Sequence, residues 1–292
     1  MGFWKSFFGG EEQSPEEERK DNEAKQFDLM KYDGVKAMRI GQFEYAEKCF
    51  REALKVHEDL EIHDYLSQTL LHLNRLQESL EELLLIGKEQ PDNVSVITQA
   101  AHVSYMLEDY TRMHSLAEQA QTLDPANATA YYQMAQADLG QGDMVSGIAH
   151  LTKAIVLNEN HGDARLLRAK TLLAMGDLEG ADQDVDWLLQ HTEDEEEVLL
   201  AAARIAHAKG NDDNALNIYN KVVDVNPFQV DAYRERGQIK FNRGDKRGAQ
   251  EDMQKVLELN PNETADVNGD YSAEGVEQQV KRAYSNMNPF GI

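Results

Sequence analysis

The chain has 292 residues, with 29 Lys and Arg against 53 Asp and Glu and a formal charge of −24, so nucleic acid is excluded as a natural partner and a bare anionic membrane is disfavoured. A single cysteine, Cys49, excludes an intrachain disulfide framework and fits a reducing compartment. No apolar run is long enough to cross a bilayer, and MGFWKSFFGGEE has neither the apolar core nor the cleavage site of a secretory signal, so a cytoplasmic protein is expected.

The first feature along the chain is aromatic. Phe3, Trp4, Phe7 and Phe8 stand beside an acidic segment with no core of their own. Three fates are open to them: docking on the rest of the chain, insertion into a membrane interface, or capture by a partner. Lys5 is the only base among residues 1–8, which is too little for a membrane surface, although Met1, Gly2 and Ser6 fit a myristoylation pattern. Next, SPEEE offers Ser14 as N-cap, Pro15 at the first helical position and Glu17 to close a capping box. Residues 1–26 are thus an aromatic and acidic segment that ends in a lead-in helix.

From there the chain keeps a period. Four of its six prolines, Pro91, Pro125, Pro227 and Pro261, lie on a grid of 34 residues, and the period continues through Glu159 and Glu193 where the proline is missing. Seven windows follow: 27–59, 60–93, 94–127, 128–161, 162–195, 196–229 and 230–263. Position 8 of the windows holds Gly34, Ser67, Ala101, Ala135, Ala169, Ala203 and Gly237, all small. Position 20 holds Ala46, Ser79, Met113, Gly147, Ala181, Ala215 and Ala249, with Met113 the one large residue. Small residues at these two positions let two helices approach closely. Position 15 is glycine in five windows, with Asn74 and Glu108 in the other two, and a residue of this kind ends a helix in the left-handed conformation.

Between positions 3 and 14 apolar residues recur at helical spacing, as in Ala130, Tyr131, Met134 and Leu139, and again after position 15 in Ile148, Leu151 and Ile155. Each window therefore reads as helix, turn, helix, and the proline at position 32 stops the second helix because it lacks an N–H and clashes one turn back. Asn93, Asn127 and Asn262 match glycosylation sequons, but each follows a grid proline and is read as a helix cap. A heptad coiled coil would not place breakers every 34 residues.

The pattern resembles the tetratricopeptide repeat family, best in AYYQMAQADLGQGDMVSGIAHLTKAIVLNEN and AYRERGQIKFNRGDKRGAQEDMQKVLELNPN, and the resemblance covers residues 27–263. The second and third windows depart most, with Asn74 and Glu108 at the turn and Ile86 at position 27. The resemblance implies an all-α fold, a right-handed α-solenoid of about seven helix-turn-helix units. It also implies that the first helix of every unit lines a concave face, with positions 5, 9, 12 and 13 pointing inward.

Position 9 runs Val35, Gln68, His102, Gln136, Lys170, Arg204 and Gln238, and position 5 includes Tyr132, Leu166, Leu200 and Arg234. In the last three units Lys170, Arg204 and Arg234, with His207 close by, are expected to converge on one wall over an apolar floor of Leu166 and Leu200. In so acidic a chain that wall suits a carboxylate, either an acidic peptide or a free C-terminus. The opposing reading pairs these cations with Glu197 and Asp231. No Asn occupies position 9, so the Lys and Asn clamp of chaperone-binding relatives is not supported. If the basic wall is structural, the ligand is expected around Tyr105, Tyr132 and Gln136.

After the array, residues 264–292 are expected to hold a linker, a capping helix with Val276, Val280, Ala283 and Tyr284 on one face, and a tail, NPFGI. DVNGDYSAE resembles a calcium loop, but Gly269 falls fourth where the sixth place is needed. The nine histidines form no His-Glu-x-x-His and most are read as surface or groove residues, and no phosphate loop or nucleophile elbow is present. No metal, cofactor or catalysis is expected. The reading is a scaffold that binds a peptide or protein segment in its groove, and the alternative is a membrane-associated assembly factor tethered by its aromatic N-terminus.

Overall fold

The computed structural model describes residues 14–192 and 195–260. Within them every regular element is an α-helix. In chain order these are α1 (Pro15–Arg39), α2 (Phe43–Val56), α3 (Leu60–His72), α4 (Leu76–Glu89), α5 (Val94–Met106), α6 (Tyr110–Leu123) and α7 (Ala128–Gly140). They continue with α8 (Met144–Leu157), α9 (Gly162–Met175), α10 (Leu178–His191), α11 (Glu196–Ala208), α12 (Asp212–Val225), α13 (Val230–Asn242) and α14 (Lys246–Leu259). The chain divides into two compact units, Met1–Ser146 and Gly147–Ile292, with the boundary inside α8. In the first unit α1–α2, α3–α4 and α5–α6 pack as hairpins, and α2, α4 and α6 each pack on the first helix of the following hairpin. In the second unit α9–α10, α11–α12 and α13–α14 do the same. This is the α-solenoid class, built only from helix pairs.

The first helices α3, α5, α7, α9, α11 and α13 begin 34 residues apart, at Leu60, Val94, Ala128, Gly162, Glu196 and Val230. Local chemistry sets the punctuation. Asn93 accepts from the Val96 N–H at 3.3 Å and Asn127 from the Ala130 N–H at 3.0 Å, so both act as N-caps. Helices α4, α6 and α12 stop at Glu89, Leu123 and Val225, each two residues before a grid proline. Glu193, Pro261 and the Asn262 sequon lie outside the described residues, as do the aromatic residues 1–8, the calcium-like string, the capping helix and the tail.

At the start of the array no turn separates the lead-in helix from the first repeat. The Ser14 N–H donates to Glu17 Oε2 at 2.7 Å and the Glu17 N–H donates to Ser14 Oγ at 3.3 Å, and one helix of 25 residues then runs to Arg39. Nothing between Glu16 and Asp33 breaks helical hydrogen bonding, so the segment continues into the window that begins at residue 27.

At position 15 all seven residues take a positive φ, including Asn74 and Glu108, each at 57°. Asparagine tolerates this region, whereas a glutamate bears a strain of roughly 1–2 kcal/mol there. Packing that closes the third hairpin therefore overrides the preference of Glu108. The small positions are buried as their size requires. A Cβ on Gly34 would stand 2.6 Å from the Phe50 ring, and Ser79 Oγ donates to the Ser67 carbonyl at 2.8 Å across the second hairpin. Met113, the large exception, is fully buried against Ala101 and Ala137, where an unbranched thioether fills the irregular space.

Candidate functional site

A helix returns to the same face every three or four residues, so positions 5, 9 and 12 of each first helix form one stripe. On α5 the stripe is Thr98, His102 and Tyr105, and on α7 it is Tyr132, Gln136 and Leu139. On α11 it is Leu200, Arg204 and His207, and on α13 it is Arg234, Gln238 and Phe241.

In the second unit every cation of the expected basic wall is turned onto a carboxylate. Lys170 Nζ on α9 lies 2.5 Å from Glu197 Oε2 on α11. Arg204 places Nε 3.0 Å from both oxygens of Glu235 and Nη2 2.6 Å from Oε1, and it reaches Asp231 at 3.5 Å. Arg234 binds the other oxygen of Asp231. Three cations therefore meet three anions. Glu235 is only 3% exposed and also accepts a hydrogen bond from the buried Tyr219 hydroxyl at 2.7 Å. Burial alone would lower the Arg204 pKa, but the hydrogen bonds and charge of Glu235 outweigh it and hold the guanidinium above its usual value. The same surroundings push Tyr219 up, first through burial and then through the Glu235 charge.

The remaining predicted residues of this unit follow suit. His207 Nδ1 lies 2.6 Å from Asp212 Oδ1. Gln238 donates to Asn242 at 3.1 Å, while its buried Oε1 has no partner among the described residues. Leu200 is buried in the helix core, and Leu166 packs against the neighbouring cluster, so neither forms an open floor.

The first unit differs. His102 is exposed on α5, Tyr105 and Met106 are 40% and 41% exposed, and Tyr132 and Gln136 on α7 are half-buried. The Tyr105 ring sits 6.3 Å from Tyr110, and Tyr110 lies so close over Gly140 that a Cβ there would meet the ring at 2.4 Å. The aromatic pair is thereby fixed between α5 and α7.

Three polar clusters escaped sequence reasoning. Arg168 with Asp184 and Arg236 with Asp252 are bidentate pairs, each sixteen residues apart within one hairpin, and both aspartates are nearly buried. Their signal was an Arg and an Asp at the same two positions in two windows. His63 departs from the surface or groove placement expected of most histidines: it is 5% exposed, with Nδ1 2.5 Å from Glu82 and Nε2 3.0 Å from Glu58. Burial disfavours the charged ring, yet the two carboxylates outweigh it and raise the His63 pKa. It ties α3 to α4 and to the loop after α2. Among the described residues no group of three or more His, Cys, Asp or Glu is placed to hold a metal ion, and no helix is long and apolar enough to cross a membrane.

A model of the tetratricopeptide repeat-like domain matches residues 112–270, more than half of the chain, and a second tetratricopeptide repeat model matches residues 34–93. The chain belongs to the tetratricopeptide repeat (TPR) family. A TPR protein from Parabacteroides merdae has the same fold, with a TM-score of 0.68 and 16% identity over 90% of this chain and 100% of that one. YrrB, described as a TPR protein with an unusual peptide-binding site, gives a TM-score of 0.53 and 16% identity over 68% of this chain and 97% of its own. The mouse DnaJ homolog subfamily C member 3 is 26% identical over 156 residues, which are 48% of this chain and 31% of that protein, so this chain matches less than a third of that relative. TPR arrays are protein-interaction scaffolds, generally without catalysis.

Proposed function

We propose that this TPR chain is a non-catalytic scaffold that holds a peptide or protein segment against the inner faces of its first helices. The observation that carries the reading is the exposed stripe of His102, Tyr105 and Met106 on α5, with Tyr132 and Gln136 beside it on α7. Large apolar and amphipathic side chains left open on a rigid face are what a partner buries, and tyrosine offers area and a hydroxyl at little entropic cost. YrrB supplies a precedent only for a peptide site within the same fold.

A carboxylate ligand at Lys170, Arg204 and Arg234 is the weaker variant. It has to displace Glu197 and Asp231 from their cations, whereas Glu235 is buried and stays. Tethering by residues 1–8 would add a membrane role to the same scaffold without changing the face. The test is a peptide array probed with the parent and with Tyr105→Ala. Loss of a central aromatic anchor costs about 2 kcal/mol, so the variant is expected to bind the selected peptides roughly tenfold or more weakly. Equal binding by both proteins would remove this face from the function.

A further inference from the structure

Between α3 and α5 of the first unit lies a cleft of about 300 Å³. Leu60, Ile86 and Val96 line it with carbon. Two of its amide groups already donate within the cleft: Asn93 Nδ2 to Gln90 Oε1 at 2.8 Å, and Gln99 Nε2 to Ser95 Oγ at 3.2 Å. The acceptors it offers a ligand include the Gln99 carbonyl oxygen and the carboxylate of Asp64, while the other acid of the lining, Glu61, is engaged by Lys31 and by the Tyr65 hydroxyl.

Asp64 is half-buried, and its side chain accepts one hydrogen bond, from Gln68 Nε2 at 2.9 Å. Among the described residues no Lys, Arg or His pairs with it. The cation on the adjacent helix, Lys31, is held by Glu61 at 2.6 Å and Asp59 at 3.4 Å. Burial first, and then the like charge of Glu61, push the Asp64 carboxyl above its usual range against the Gln68 hydrogen bond. Glu197, Asp231 and Glu235 on the second unit each have a cation, so Asp64 stands apart from them. A charge taken partly out of water without a counter-ion is costly, and an incoming cation would remove that cost.

We propose that this cleft takes the side chain of a lysine or arginine from a partner segment. The aliphatic stem lies on Leu60, Ile86 and Val96, and the cationic head meets the Asp64 carboxylate and the Gln99 carbonyl oxygen. A long side chain with an apolar stem and a charged tip matches a cleft of carbon walls that ends in acceptors. A chain charge of −24 adds steering of a basic partner towards the site. The proposal rests on reading the inner face as a peptide-holding surface and adds that the segment held at α3 and α5 is basic.

The test uses the full chain, labelled with nitrogen-15, and titrates N-acetyl-arginine methylamide with the norleucine analogue as the uncharged control. Saturable shifts are expected at Ser95 and Gln99 with the arginine probe, and binding at least tenfold weaker with the norleucine probe. Asp64→Asn should weaken the arginine probe at least tenfold while its unfolding midpoint stays at or above that of the parent, because an uncompensated charge has been removed. Lowering the pH should release the arginine probe as Asp64 protonates. Equal shifts from the two probes, unchanged binding by Asp64→Asn, or no saturable shift at all would overturn the basic-residue site. Each of those results leaves the scaffold reading to its own test, since that one is read with whole peptides at α5 and α7.

Discussion

Arg204→Glu is expected to destabilise the second unit by roughly 3 to 5 kcal/mol, the cost of stranding and opposing a buried charge. Glu235 is 3% exposed and takes its neutralising contacts from Arg204, with the Tyr219 hydroxyl as its one further side-chain partner among the described residues. The substitution leaves that carboxylate without a cation and sets a second carboxylate beside it. Lys170→Glu provides the contrast. Lys170 and Glu197 are 38% and 49% exposed along their side chains, so the loss there should stay within about 1 kcal/mol. Denaturant midpoints of the two variants check the pair of statements. An Arg204→Glu midpoint equal to that of the parent would mean that the Arg204, Glu235 and Tyr219 cluster is not a structural brace.

Ala203→Leu should cost about 1 to 3 kcal/mol by overpacking. Ala203 is at position 8 of α11, has no exposed surface, and sits with Ala215, Tyr219 and Ala232 in one core cluster. A leucine adds three carbons where helices meet through alanines, and the helices must part or the new side chain must leave its rotamer. Because each hairpin is stabilised by its neighbours, the loss should spread to α13 and α14. Ala208→Leu, on the exposed end of the same helix, should leave the thermal midpoint near that of the parent. If both variants melt like the parent, position 8 is not a close-approach position.

The repeat was legible because its rules are local. A proline ends a helix, a left-handed turn selects glycine, and two helices in close contact select small residues, whatever lies further away. Glu108 shows the limit of such rules, since its left-handed turn is imposed by the hairpin and not by its own preference. That positions 5, 9 and 12 share one face of a helix follows from periodicity, whereas only the family resemblance implies that this face is the inner one. What occupies that face was less legible. The pairings Lys170–Glu197 and Arg204–Asp231 share an offset of 27 residues and were within reach of the sequence. Burial of Glu235 against Tyr219 was not, because it depends on how α12 and α13 pack. Nor was the cleft at Asp64 visible. An empty volume belongs to three segments together, and no spacing along the chain encodes it.

The central claim is that a partner lies on the inner face of the first helices. Site-specific photocrosslinking tests it most directly, with benzoylphenylalanine placed in turn at Tyr105 and Tyr132, and at Leu85 on the exposed side of α4 as the control. A protein crosslinked from Tyr105 and Tyr132, and not from Leu85, is the expected result. Crosslinks to the same protein from Leu85 alone would contradict it and move the binding surface to the second helices.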